Sequence, residues 1–178
     1  WTDNYGTITL EAGSNVTSYS GSAYYGYDGS SIDIYGTVSH DEGHISVLYS
    51  GGKYTGYDGS ILNNNADITN YGSIDIQEGA TVNGTGSYTQ EQGGQIIVNG
   101  ELTQDSINIT GSGYLGGSGT VNGNVYASGS DVIINAGNSP GTLTINGNLT
   151  VEDGAKIILE IGAAGHDTLQ VSGDFNLA

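Results

Sequence analysis

The chain has 178 residues, 19 of them acidic against Lys53 and Lys156 alone, and carries a formal charge of −17 with no arginine. That balance excludes nucleic acid, which needs protein cations to displace its counterions, and disfavours anionic membranes. Cysteine and methionine are absent, which removes disulfides and cysteine metal sites, and no apolar run is long enough to insert into a membrane.

Only 35% of the residues are apolar and 32 are glycine, a composition that approaches disorder. The placement of the apolar residues argues otherwise. Taken in chain order, Ile8 and Leu10, Ile32 and Ile34, Ile45 and Val47, Ile74 and Ile76, Ile107 and Ile109, Leu143 and Ile145, and Leu149 and Val151 all alternate with polar residues. Period two marks half-buried strands, and β-branched types dominate as strands prefer. No window reads as an amphipathic helix, and no capping helix is expected.

The strands come in repeated phrases. Asn4-Tyr5-Gly6-Thr7-Ile8-Thr9-Leu10 returns around Tyr35 and Tyr71, steps of 30 and 36 residues, and Gly26-Tyr27-Asp28-Gly29-Ser30 returns as Gly56 to Ser60. Further on, Asn99-Gly100, Asn122-Gly123, Asn146-Gly147 and Ser172-Gly173 open similar phrases at steps of 23, 24 and 26. A period of this size means a chain winding repeatedly around one axis. The expected fold is an all-β parallel β-solenoid of roughly six to eight coils, a single unit over 1–178. Residues 1–94 are expected to form longer, Tyr-rich coils, and 95–178 regular coils with Asn-Gly turns. The same asparagines, stacked coil on coil, suit a hydrogen-bonded ladder.

Ten of the 13 tyrosines precede residue 72. Tyrosine offers a flat apolar face with a polar tip, so Tyr24, Tyr25, Tyr27, Tyr54 and Tyr57 are the candidate surface for a glycan or a protein; stacking along the solenoid is the competing use. Catalytic chemistry is not signalled. Asp41 with Glu42 and Glu152 with Asp153 are neighbours in sequence, and adjacent strand residues point to opposite faces, which leaves no carboxylate pair to flank a bond. For a metal, His40 and His44 bracket an acidic turn without zinc-protease spacing, and Asp28 and Asp58 occupy equivalent places in the repeated phrase. No cofactor is expected; calcium is the ion the carboxylates would suit.

From Gln95 onward the wording Gly113-Tyr-Leu-Gly-Gly-Ser-Gly-Thr-Val-Asn-Gly-Asn-Val125, Gly137-Asn-Ser-Pro-Gly-Thr-Leu143 and Asp167-Thr-Leu-Gln-Val-Ser-Gly173 resembles the strand repeats of bacterial autotransporter passengers and related exported adhesins. The resemblance covers about half of the chain. It implies a right-handed parallel β-helix, an extracellular or cell-surface location with the signal peptide already removed, and an adhesive or structural role. It carries no catalytic residue over, and no enzymatic activity is expected. Strand phrases run close to both termini, Thr7, Ile8, Thr9 and Leu10 at one and Leu169, Val171, Phe175 and Leu177 at the other. The expected partner is therefore another copy, stacked end to end into a fibre or adhesive stalk, with surface glycans bound by the tyrosine-rich loops as the alternative.

Overall fold

A computed structural model describes residues 2–43, 45–137 and 140–178. Among the described residues there are 25 strands and no helix. The strands stack in three parallel columns, so the chain is a β-solenoid of about eight coils with a three-sided cross-section.

The first face is built from Thr2–Asn4, Ala23–Gly26, Ile45–Leu48, Asp67–Asn70 and Ser87–Gln90, then the later halves of Glu101–Ile109 and Thr120–Ser128, then Leu149–Glu152 and Phe175–Leu177. The second runs from Thr7–Leu10 through Ser31–Ile34, Lys53–Gly56, Ser73–Ile76, Gln95–Val98, Tyr114–Gly117 and Ile133–Ala136 to Lys156–Leu159. The third runs from Asn15–Ser18 through Thr37–His40, Ile61–Asn64 and Thr81–Asn83 to the opening halves of the two nine-residue strands, then Thr142–Asn146 and Thr168–Val171. Each nine-residue strand bends round the corner from the third face to the first. The antiparallel exceptions are a small hairpin, Ile161–Gly162 against Gly165–His166, and an isolated bridge between Gly117 and Gly137.

The coil length differs from the expectation. On the first face Tyr24 pairs with Ser46 and Ser46 with Ile68, steps of 22 residues. Later the step falls to 18 between Ile107 and Val125 and rises to 26 between Leu149 and Phe175. The first half is thus not made of longer coils. The 30-residue recurrence of Gly-Tyr-Asp-Gly-Ser is one coil of 22 plus one side of the prism, because Tyr27 follows a first-face strand and Tyr57 a second-face strand. In both copies the phrase makes a four-residue turn, Ser30 N–H to Tyr27 C=O and Ser60 N–H to Tyr57 C=O, both at 2.9 Å. Gly29 and Gly59 supply the positive φ at its third position.

What separates the halves is the interior. From Ile96 to Ile145 the inner positions are chiefly aliphatic and sealed: Ile96, Val98, Ile107, Ile109, Leu115, Ile134, Leu143 and Ile145 are each 0% exposed, and the buried Gln104 amide among them accepts from Asn64 at 2.8 Å. Upstream, Asn4, His40, Ser46, Asn64, Asn70, Tyr88 and Gln90 are buried inside the prism. Asn4 and Asn70 end first-face strands that turn the corner in only two residues, Tyr-Gly. Each accepts the N–H of the corner glycine (Gly6 at 3.0 Å, Gly72 at 2.9 Å) and donates to a tyrosine of the next coil (Tyr24 at 3.1 Å, Tyr88 at 2.8 Å). A cavity of about 40 Å³ lies in this half, lined by residues including Tyr24, His40, Ser46, Tyr54 and Leu62, enough for a water molecule.

Burial pushes the Tyr54 and Tyr88 phenols well above the ordinary value of 10.0. The folded state therefore keeps protons that the unfolded chain releases above pH 10, and the stability these groups contribute, whole below that pH, falls as pH rises past it. Alkaline titration should show surface phenols ionising reversibly, then interior ones ionising together with loss of the far-ultraviolet dichroism. Tyr54→Phe should remove one phenol from the late phase. Ionisation of all 13 tyrosines with the dichroism intact would contradict this placement.

Candidate functional site

The exposed edges of the prism carry the most ordered surface feature. Where the first face turns into the second, Tyr5, Tyr27, Tyr49 and Tyr71 stand in one column, each 22 residues from the last. Ring centroids are 4.5, 5.0 and 6.2 Å apart and the planes lie within 18° of parallel. Tyr25 leans on Tyr49 from the first face at 6.4 Å. On the second edge Tyr35 and Tyr57 stack at 4.2 Å and 7°. Each offset-stacked pair contributes about 0.5–1.5 kcal/mol beyond area burial.

Three edge phenols, Tyr27, Tyr57 and Tyr71, have their pKa raised above the ordinary value. The Glu91 carboxylate is the main cause raising the Tyr71 pKa. For Tyr27 the causes are burial among its neighbours and then Asp3. For Tyr57 they are its bond to Tyr35, burial, and Asp33, whose carboxylate accepts from the Tyr57 hydroxyl at 3.4 Å.

Of the five tyrosines expected to form a binding surface, the structure places Tyr25, Tyr27 and Tyr57 outside. Tyr24 and Tyr54 turn inward and line the interior cavity, Tyr54 packing against the core. Strand parity explains this: Tyr24 shares its inward column with Ser46 and Ile68, and Tyr54 with Ile32 and Ile74. The ladder members Tyr5, Tyr49 and Tyr71 were not singled out in the sequence. The signal that finds them is the spacing of 22, which the 30-residue phrase masked.

The metal candidates do not converge. Asp28 lies on the first edge, its carboxylate 1.9 Å from where a Cβ on Gly51 would sit, and Asp58 lies on the second edge in the same relation to Gly79. His40 is inside the prism at 8% exposure, its side chain turned away from the acidic turn that follows it, and His44 lies outside the described residues. No group of three or more His, Cys, Asp or Glu able to hold a metal occurs among the described residues.

The residues named for end-on contact divide by parity. Ile8 and Leu10 continue inner columns while Thr7 and Thr9 face outward, paired with Ser31 and Asp33. At the other extreme Leu169 and Val171 pack on the core, and Phe175 and Leu177, at 48% and 68% exposure, continue the inner columns of Leu149 and Val151.

The Asn-Gly phrases are not chain reversals. Asn122-Gly123 lies within one strand, and among the described residues the non-glycine positions with positive φ are Gln92 and Asp153. The asparagines do form part of a ladder: Asn146 donates to Asn122 at 2.8 Å, and Asn122 to Glu101 at 2.6 Å and Thr103 at 3.0 Å.

Comparison of the chain with protein families, with curated proteins and with solved structures found no match.

Proposed function

We propose that this chain is a non-enzymatic structural protein, a rigid rod of stacked coils serving as a segment of an extracellular fibre or adhesive stalk. The observation that carries the reading is the unbroken register of the three columns. Along all of them each coil is held by the coil before and after it, and the outermost coils present the same inner-column side chains that are buried elsewhere. Phe175 and Leu177 stand where a further coil would cover them, whether that coil comes from the same polypeptide or from a second copy. End-on addition of copies is the assembly this surface suits. The exported, cell-surface setting rests on the autotransporter-like wording of residues 95–178.

Glycan capture by the tyrosine edges has less support. A pyranose needs an open ring face, and both faces of Tyr27 are covered by neighbouring rings at 4.5 and 5.0 Å, while Tyr35 and Tyr57 cover one face of each other at 4.2 Å.

Sedimentation velocity and negative-stain microscopy across a micromolar concentration series test the proposal. Rods that lengthen with concentration are expected, and Phe175→Asp with Leu177→Asp should abolish the lengthening while leaving the dichroism unchanged. Particles that stay monomeric at every concentration would overturn end-on assembly.

A further inference from the structure

The third face differs from the rest of the surface. In a chain with 19 carboxylates, the paired strand positions of this face carry Glu101 alone among the described residues, with Asp105 exposed at the corner where the same strand bends onto the first face. The second face carries four charged residues, Asp33 and Asp75 with Lys53 and Lys156, and the first carries Asp3, Asp67 and Glu152. On the third face two outward ranks run along the axis. Thr81, Thr120 and Thr144 stand in one, and Asn83, Asn122 and Asn146 in the other, the register aligning Thr81 with Glu101, Glu101 with Thr120, and Thr120 with Thr144. Rungs in such a sheet are about 4.7–4.9 Å apart and the two ranks are about 6.6 Å apart along each strand.

The array is pre-organised. Asn146 donates to Asn122, Asn122 donates to Glu101 and Thr103, and Asn63 donates to Ser39 at 3.2 Å. The amides are thereby held in one orientation, so a ligand that meets them need not order them. The surface has hydroxyls and amides on parallel rungs, with Ile61 and Glu101 as the apolar and charged members of the threonine rank.

We propose that the third face is a docking surface for an extended neutral polysaccharide laid along the solenoid axis. A neutral, hydroxyl-rich chain meets one carboxylate within the ranks, Glu101, which already accepts from Asn122, and a second, Asp105, at the corner. Its sugar residues advance by nearly one coil spacing, so each can exchange hydrogen bonds with one rung. A polyanion would be repelled by the charge of the chain, and a polycation would prefer the acidic edges. A second copy is the competing occupant, and the test separates the two.

Binding of the whole chain to microcrystalline cellulose and to crystalline chitin is measured by depletion from solution, at low and high salt. Retention on at least one of them, insensitive to salt, is expected. The pair Thr120→Lys with Thr144→Lys, which raises long side chains above the flat face, should lower the partition at least tenfold. The pair Thr89→Lys with Thr150→Lys makes the same charge change on the first face and should leave the partition unaltered. Circular dichroism confirms folding, and Thr144→Lys alone replaces the double variant if that does not fold. The proposal fails if the unsubstituted chain binds neither solid, if both pairs lose binding equally, or if binding vanishes at high salt. It also fails if the third-face pair abolishes only a lateral self-association seen by sedimentation, which would assign the face to a second copy.

Discussion

Asn70→Ala should destabilise the solenoid by roughly 3–5 kcal/mol, as much as deleting a large core side chain. The Asn70 amide is 0% exposed. Its Nδ2 donates to Tyr88 Oη at 2.8 Å, to Gln90 Oε1 at 2.7 Å and to the Gln95 carbonyl at 3.1 Å, and its Oδ1 accepts from Gly72 N–H at 2.9 Å. Alanine leaves the Gly72 donor and the Gln95 acceptor without these partners, in a part of the prism that already holds a cavity. Asn70→Asp should be worse, because a carboxylate there would face two carbonyl oxygens, Gln90 Oε1 and Gln95 O, with burial opposing its charge.

The loss should be local. In a solenoid each coil is supported only by its neighbours, so stability is distributed along the stack and not shared by the whole. Coils upstream of Gln90 rest on Asn4, Asn70 and the inward tyrosines, whereas those after Gln104 rest on sealed aliphatic columns. Hydrogen exchange of the Asn70→Ala chain should show amides of the strands between Ala23 and Gln90 losing protection while those from Glu101 to Glu152 keep it. Uniform loss along the chain, or no loss, would refute this account of the interior.

How far the sequence reveals this organisation depends on which periodicity is followed. Alternation of period two is visible in Ile74 and Ile76 or Leu143 and Ile145, and it leads to the observed strands because one face of each is buried. The same alternation carries Asn70 inward behind Ile68, Asn64 behind Leu62, and Gln90 behind Tyr88. Polar identity hides them among the surface residues, since parity and not polarity decides which side of a solenoid strand is wet. The coil period was harder to read. Corners in the first four coils are mostly two residues, as at Tyr5-Gly6, or four, as at Tyr27 to Ser30. The most alike phrases are therefore alike in corner type and not in position around the prism. Tyr27 and Tyr57 share a phrase on different edges, whereas Tyr27 and Tyr49 share an edge in different phrases. The tyrosine ladder follows from the second relation. The interior changes from amide-bearing to aliphatic after Gln104, a difference visible in the inner positions once the strands are aligned in threes.

Gly123→Ala should be a severely damaging small substitution in the regular half, costing about 3–5 kcal/mol from two sources, backbone strain and overpacking. Gly123 sits within the strand Thr120–Ser128, where the chain bends from the third face to the first, at a φ of 148°. A Cβ there would lie 2.0 Å from the Gln104 carbonyl oxygen of the preceding coil. The obstacle is backbone and cannot turn aside as a side chain would. The next coil repeats the arrangement, with a Cβ on Gly147 meeting the Gly123 carbonyl at 2.2 Å, so relieving one clash displaces the neighbouring corner. Gly6 provides the contrast. It occupies a two-residue corner of the first coil with nothing within 4 Å of a built Cβ and no positive φ. Gly6→Ala should change stability by no more than about 0.5 kcal/mol, and the lower entropy of the unfolded chain favours a small gain. Thermal melts of the two variants side by side decide the matter. If Gly123→Ala melts with the parent, the glycines of the Asn-Gly phrases are not there to admit the neighbouring coil; if it collapses while Gly6→Ala does not, close approach of coil to coil is what those phrases encode.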